Sequence, residues 1–114
     1  LDYYTPVIIT SEQLLASDPE LVQKFMRATN KGYQFTINNP AEAGQILLKY
    51  VPELDADLVL ASQEYLGPRY QDDAPRWGEQ EEKIWTNYAA WMYENGLLPR
   101  MIDVEKAFTN NYLP

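Results

Sequence analysis

The chain has 114 residues, 46% of them hydrophobic, which suffices for one modest core and therefore for one domain or a piece of one. Nine Lys and Arg against 17 Asp and Glu leave a net charge of -8, which repels phosphate backbones and anionic lipid and argues against nucleic acid and membrane surfaces as partners. With no cysteine and no histidine, the chain has no disulfide, no thiol nucleophile, no thiolate or imidazole metal ligand and no histidine base.

The N-terminus reads "LDYYTPVIIT", and its β-branched run from Thr5 to Thr10 predicts a strand. No second strand signal follows, so this strand has no ladder partner in the chain, and even a two-stranded hairpin is only marginally stable in water. Leu1 stands mid-strand where a native start would carry Met, and there is no export-signal pattern, so truncation or processing is the expectation. Tyr3 and Tyr4 are neighbours at the strand end, which sends their rings to opposite faces, one to the core and one to a cleft.

After Thr10 the apolar period lengthens from 2 to 3.6. Ser11–Ala16 reads as a short helical turn, and Ser17-Asp18-Pro19-Glu20 reads as a capping box with proline early in the helix. Leu21, Val22, Phe25, Met26, Thr29, Tyr33 and Ile37 form the apolar face of the long helix that follows, ending at Asn38-Asn39-Pro40. Gly32 on it invites a close backbone approach. Asn39-Pro40-Ala41-Glu42 repeats the cap, and Ala43, Ile46, Leu47, Tyr50 and Val51 line the next helix until Pro52. Asp55 caps a further helix with Leu58, Ala61, Ser62, Tyr65 and Leu66 inward and Gly67-Pro68 as its stop. Residues 67–78, "GPRYQDDAPRWG", read as an ordered or semi-ordered loop. A fourth long helix runs from Glu79 to Asn95, with Ile84, Trp85, Tyr88, Trp91 and Met92 on one face and Gly96 placed to close it in the left-handed conformation. Asp103 caps a last short helix through Lys106, and "AFTNNYLP" forms an extended tail. The predicted fold is mostly α: one N-terminal strand and about five helices, an α/β fragment of the kind obtained when a layer is cut from its sheet.

Few residues offer chemistry. Glu79, Glu81 and Glu82 sit where the helix macrodipole favours acids, so a solvated cap accounts for them better than catalysis does. Asp72-Asp73 lacks the glycine and alternating oxygen ligands of a calcium loop, so a polar turn is the better reading and no metal site is expected. Trp85 and Trp91 lie at helical spacing and read as core, whereas Trp77, beside Gly78 in the loop, is a candidate ligand-stacking ring. No constellation points to a catalytic residue or a cofactor.

The stretches "YYTPVIITSEQLL", "DPELVQKFMRATNKGYQFTINNPAEAGQILLKYVPELD", "WGEQEEKIWTNYAAWMYENGLL" and "AFTNNYLP" resemble the C-terminal part of the NMT1/THI5-like proteins. The most specific stretches are Phe25, Arg27, Ala28, Thr29, Lys31 and Gly32, then "NPAEA", then "FTNNYLP". The resemblance implies a piece, residues 1–114, of a type II periplasmic-binding-protein-like lobe. It also implies the solute-binding component of an ABC importer, extracytoplasmic as a periplasmic protein or lipoprotein, with the permease as partner. The implied ligand is a small planar metabolite of thiamin-pyrimidine type. In such two-lobed proteins the opening strand would pair in a sheet formed by other chain, and the "DYYTP" stretch would face the cleft. Tyr3 and Tyr4, with Asp2 or Thr5, are the implied ligand contacts, and Trp77 is added from the loop reading. A free-standing acidic helical interaction module and a pyrimidine synthase of the same family are the competing readings. If the fragment stands alone, its open strand edges and apolar helix faces predict a homo-oligomer.

Overall fold

The structure, a computed structural model, describes residues 1–114 and is helical throughout, without a single β-strand. Five α-helices follow one another: α1 (Glu12–Ser17), α2 (Pro19–Asn38), α3 (Pro40–Tyr50), α4 (Ala56–Leu66) and α5 (Glu82–Glu94). Single 3-10 turns lie at Gly67–Arg69 and Val104–Lys106. The expected strand at Thr5–Thr10 is corrected: the segment is exposed and forms no backbone hydrogen bond. Its β-branched composition favours extended backbone, but a strand needs a bonded neighbour, and the backbone of this segment bonds to no other.

Side chains set the helix boundaries. Ser11 accepts the Leu14 N–H at 3.1 Å to start α1, and Asp55 accepts the Leu58 N–H at 2.8 Å to start α4. The cap of α2 is Asp18, which accepts the Leu21 N–H at 3.0 Å, and not Ser17, which belongs to α1. Proline at the first helical position fixes that register, because its missing N–H falls where no intrahelical partner exists. Asp18 also donates its backbone N–H to Leu14 at 2.9 Å, so one residue closes α1 and opens α2. Asn39 differs: its side chain donates backward to the Phe35 carbonyl at 3.0 Å, closing α2 and leaving α3 without a side-chain cap.

At the end of α5, Gly96 takes φ +71 and donates to Tyr93 at 3.0 Å while Leu97 donates to Met92 at 2.9 Å. This double bond pattern is the Schellman closure expected of a left-handed glycine at that place. The start of α5 falls three residues later than expected, at Glu82, because the Gln80 and Glu81 backbone groups are bonded elsewhere.

Helices α2, α3 and α4 pack in sequence, with α1 against α2. The close approach expected at Gly32 occurs instead at Gly44 of α3, where a Cβ would stand 2.9 Å from Leu60 Cδ2 of α4; a Cβ at Gly32 would meet nothing. The inner face of α4 is therefore Val59, Leu60, Ser62 and Gln63, and of the residues expected inward only Ser62 is there. Leu58 and Tyr65 stay 66% and 61% exposed, because the pattern of α4 is apolar on more than one side and α3 covers only one. Leu21 and Phe25 of α2 and Tyr50 of α3, also expected inward, are exposed.

The loop from Gly67 to Glu81 is ordered by side chains. Trp77 is buried with its ring stacked on Tyr33 of α2 (4.6 Å, 26°), and Tyr70 meets the same Tyr33 edge-on at 5.1 Å. Gln34 donates to Gln71 at 2.8 Å. The result is an expanded body: its radius of gyration is 16.9 Å, where about 13 Å is usual for this length.

Candidate functional site

Helix α5 carries the rings of Trp85, Tyr88 and Trp91 at three-residue spacing, and rings from the two chain termini pack onto them. Tyr3 stacks on Tyr88 (5.1 Å, 16°), whose ring lies nearly parallel to Trp91 (6.4 Å, 7°). Tyr4 lies beside Trp85 (6.4 Å, 37°), and Phe108 stacks on Trp85 with its ring almost parallel (5.7 Å, 3°). Two aromatic rows thus form one wall, Tyr3–Tyr88–Trp91 and Tyr4–Trp85–Phe108. Such offset contacts add about 0.5–1.5 kcal/mol each beyond area burial.

Between the rows lies a small cleft lined by Tyr3, Tyr4, Ile84, Trp85 and Tyr88, without a charged group. It encloses about 40 Å³, room for water and not for an aromatic ring. The expectation that Tyr3 and Tyr4 diverge to opposite faces is corrected: with no sheet to impose alternation, both rings reach α5. Tyr4 adds a polar link, its hydroxyl accepting the Glu81 N–H at 2.8 Å. That N–H belongs to the N-cap of α5, where no side chain caps the helix.

Gln80 extends the wall at its base. Its Oε1 accepts the indole N–H of Trp85 at 2.7 Å. Glu79, expected as a solvated cap, is paired with Arg76 at 2.7 Å. Asp72 and Asp73 are exposed on a turn.

The predicted ligand residues fall in two places. Tyr3 and Tyr4 share the cleft, and Asp2 and Thr5 flank them, exposed. Trp77 belongs to the separate cluster on Tyr33, buried to 8% exposure. Trp85, expected as core, and Ile84 and Tyr88, expected only on the apolar face of the helix, line this cleft as well. Their common face on one helix was visible, but what packs against it depends on the tail.

A larger groove of about 440 Å³ runs between α2, α3 and α4, lined by Thr29, Gly32, Tyr33, Thr36, Ala43, Gln63 and Tyr70. Its threonine hydroxyls donate to their own helix, Thr29 to Phe25 at 2.9 Å and Thr36 to Gly32 at 3.0 Å. Tyr70 donates to Gln63 at 3.4 Å. The groove is a shallow helix surface whose hydroxyl donors are satisfied locally.

Residues 1–43, which carry the Tyr3–Tyr4 half of the cleft and helices α1 and α2, match the family model described as NMT1/THI5 like. Those first 43 residues are NMT1/THI5-like. Over 94% of its length the chain is 36% identical to a riboflavin-binding protein of Chloroflexus aurantiacus, covering 32% of that protein. It is 26% identical, over 96% of its length, to a formylaminopyrimidine-binding protein of Halalkalibacterium halodurans, covering 36% of it. It is 24% identical, over 90% of its length, to a 4-amino-5-hydroxymethyl-2-methylpyrimidine phosphate synthase of Legionella pneumophila, covering 31% of it. The chain spans about a third of the length of these relatives. Two of these names speak of a pyrimidine and one of riboflavin. No helix of the chain is long and apolar enough to cross a membrane.

Proposed function

We propose that the chain is the C-terminal part of a solute-binding protein and supplies one wall of a site for a small planar heteroaromatic compound. The observation that carries this reading is the aromatic wall of α5 with Tyr3 and Tyr4 laid on it, apolar in its cleft and edged by hydrogen-bonding groups. Flat ligands are held this way, by stacking for area and by a few polar groups for orientation. Ligand sites of drug-sized compounds enclose roughly 300–1,000 Å³. The cleft here is far smaller, so the second wall comes from the rest of the binding protein, closing over the ligand.

Riboflavin and a formylaminopyrimidine are the compounds that the names of two relatives support as ligands. Tyr4 and Tyr3 are the proposed ring contacts, with Asp2 at the edge; Trp77 would contribute by holding the loop before α5. The role is binding rather than catalysis, in an extracytoplasmic setting, with an ABC permease as the receiving partner. Titrating the complete protein with riboflavin and with formylaminopyrimidine while following tryptophan fluorescence tests it. Saturable quenching by one of them is expected, and no saturable response to either contradicts the reading.

The third relative's name favours a second reading, a pyrimidine synthase. Mass spectrometry of the eluted ligand separates the two, since a binding protein returns it unchanged.

A further inference from the structure

The tail motif "FTNNYLP" lends Phe108 to the aromatic wall, and the structure folds the rest of it back against the base of that wall. We propose that Asn110 and Phe108 are positioning residues for Trp85, fixing the direction and the plane of its indole; this rests on reading α5 as the ligand wall.

The Asn110 carboxamide exchanges two hydrogen bonds with the backbone of Gln80. Its Oδ1 accepts the Gln80 N–H at 3.0 Å, and its Nδ2 donates to the Gln80 carbonyl at 2.8 Å. A neighbouring strand would offer the same donor and acceptor pair, and here one side chain supplies both. With its backbone held, Gln80 presents Oε1 to the indole N–H of Trp85 at 2.7 Å, engaging the one polar atom that the indole has. Phe108, two residues before Asn110, lies 5.7 Å from the Trp85 ring at 3°. One grip therefore sets where the indole points and the other sets its tilt.

The tail is itself anchored. Arg76 donates to the carbonyls of Asn110, Leu113 and Pro114 at 3.4 Å each, while its Nε is paired with Glu79 at 2.7 Å. Leu113 donates back to the Asn110 carbonyl at 3.3 Å. Asn110 is half-buried, which shields these bonds from water. A ring that must stack on a flat ligand gains affinity when its orientation is set before binding.

The reporter is already present, because each of the three tryptophans gives one indole N–H resonance, and Trp85→Phe identifies the one from Trp85. In Asn110→Ala the Trp85 indole N–H should exchange with water about tenfold faster, as for the loss of one ordinary hydrogen bond, with the Trp91 indole unchanged. Phe108→Leu should move the Trp85 resonance without that acceleration, and Asn111→Ala should leave it in place. If Asn110→Ala fails to fold, Asn110→Asp, which keeps the acceptor and loses the donor, gives the same reading. In the complete protein Asn110→Ala should weaken ligand binding in the wild-type background and have no further effect on Trp85→Phe. Unchanged Trp85 exchange in the folded Asn110 variant, or an unmoved Trp85 resonance in the folded Phe108 variant, would overturn the positioning role. Loss of ligand binding by the wild type would overturn the proposed function alone, since the indole readout needs no ligand.

Discussion

Tyr4 joins two functions in one side chain: its ring lies against Trp85, and its hydroxyl accepts the Glu81 N–H that would otherwise be left open at the start of α5. The two are separable by substitution. Tyr4→Phe keeps the ring and removes the acceptor, so thermal unfolding should show a loss of about 1 kcal/mol or less, with ligand affinity nearly retained. Tyr4→Ala removes both, and calorimetry should show affinity reduced by about tenfold to a hundredfold, the usual cost of losing one stacking ring. Which rings belong together was only half legible in the sequence. The adjacent tyrosines stood out as site candidates because they sit side by side at the end of the expected strand. Nothing local said that Tyr3 would meet Tyr88, or that Asn110 would grip Gln80 thirty residues away. Those contacts depend on how the two termini return to α5, and residue spacing along a helix carries no record of that. Trp77 shows the converse: its place in a loop beside glycine suggested access, but Tyr33 lay within reach on α2 and stacked with it.

Helix starts and stops were the most legible elements, because Ser11, Asp55 and Gly96 each act on backbone groups within a few residues. The strand at Thr5–Thr10 was the least legible, since propensity describes one segment and a ladder needs two. Packing between helices lies between these cases, and the two glycines test it. Gly32→Ala adds a methyl group in open space within α2 and should stabilise the chain by up to about 1 kcal/mol through helix propensity. At Gly44 the methyl of alanine already presses on Leu60, and the branched side chain of Gly44→Val must push α3 and α4 apart. That variant should lose about 1–3 kcal/mol, the ordinary cost of overpacking, read as a lower midpoint in denaturant.

As a whole, the chain exposes 8600 Å² of surface, whereas a compact monomer of its 13.2 kDa exposes about 6,400 Å². The excess of about 2,200 Å² is larger than the share of roughly 800 Å² that one partner contributes to a standard interface. Much of the exposed surface is apolar: Phe25, Leu58, Tyr65 and Tyr50 are each more than half exposed. We therefore expect the 114-residue chain studied alone to self-associate through these faces at high micromolar concentration. The charge of -8 opposes contact only within about 8 Å at physiological salt, so burial prevails once surfaces meet. Light scattering should show a mass above 13.2 kDa, and a clean monomer would mean that these faces are tolerated in water.

The claim that α5 is a ligand wall is tested most directly by calorimetric titration of the complete protein, wild type against Trp85→Ala, with whichever of riboflavin and formylaminopyrimidine the wild type binds. Losing the central ring of the wall should weaken binding by about tenfold or more while the protein stays folded. Equal affinity in the folded variant and the wild type would contradict the account and place the ligand elsewhere.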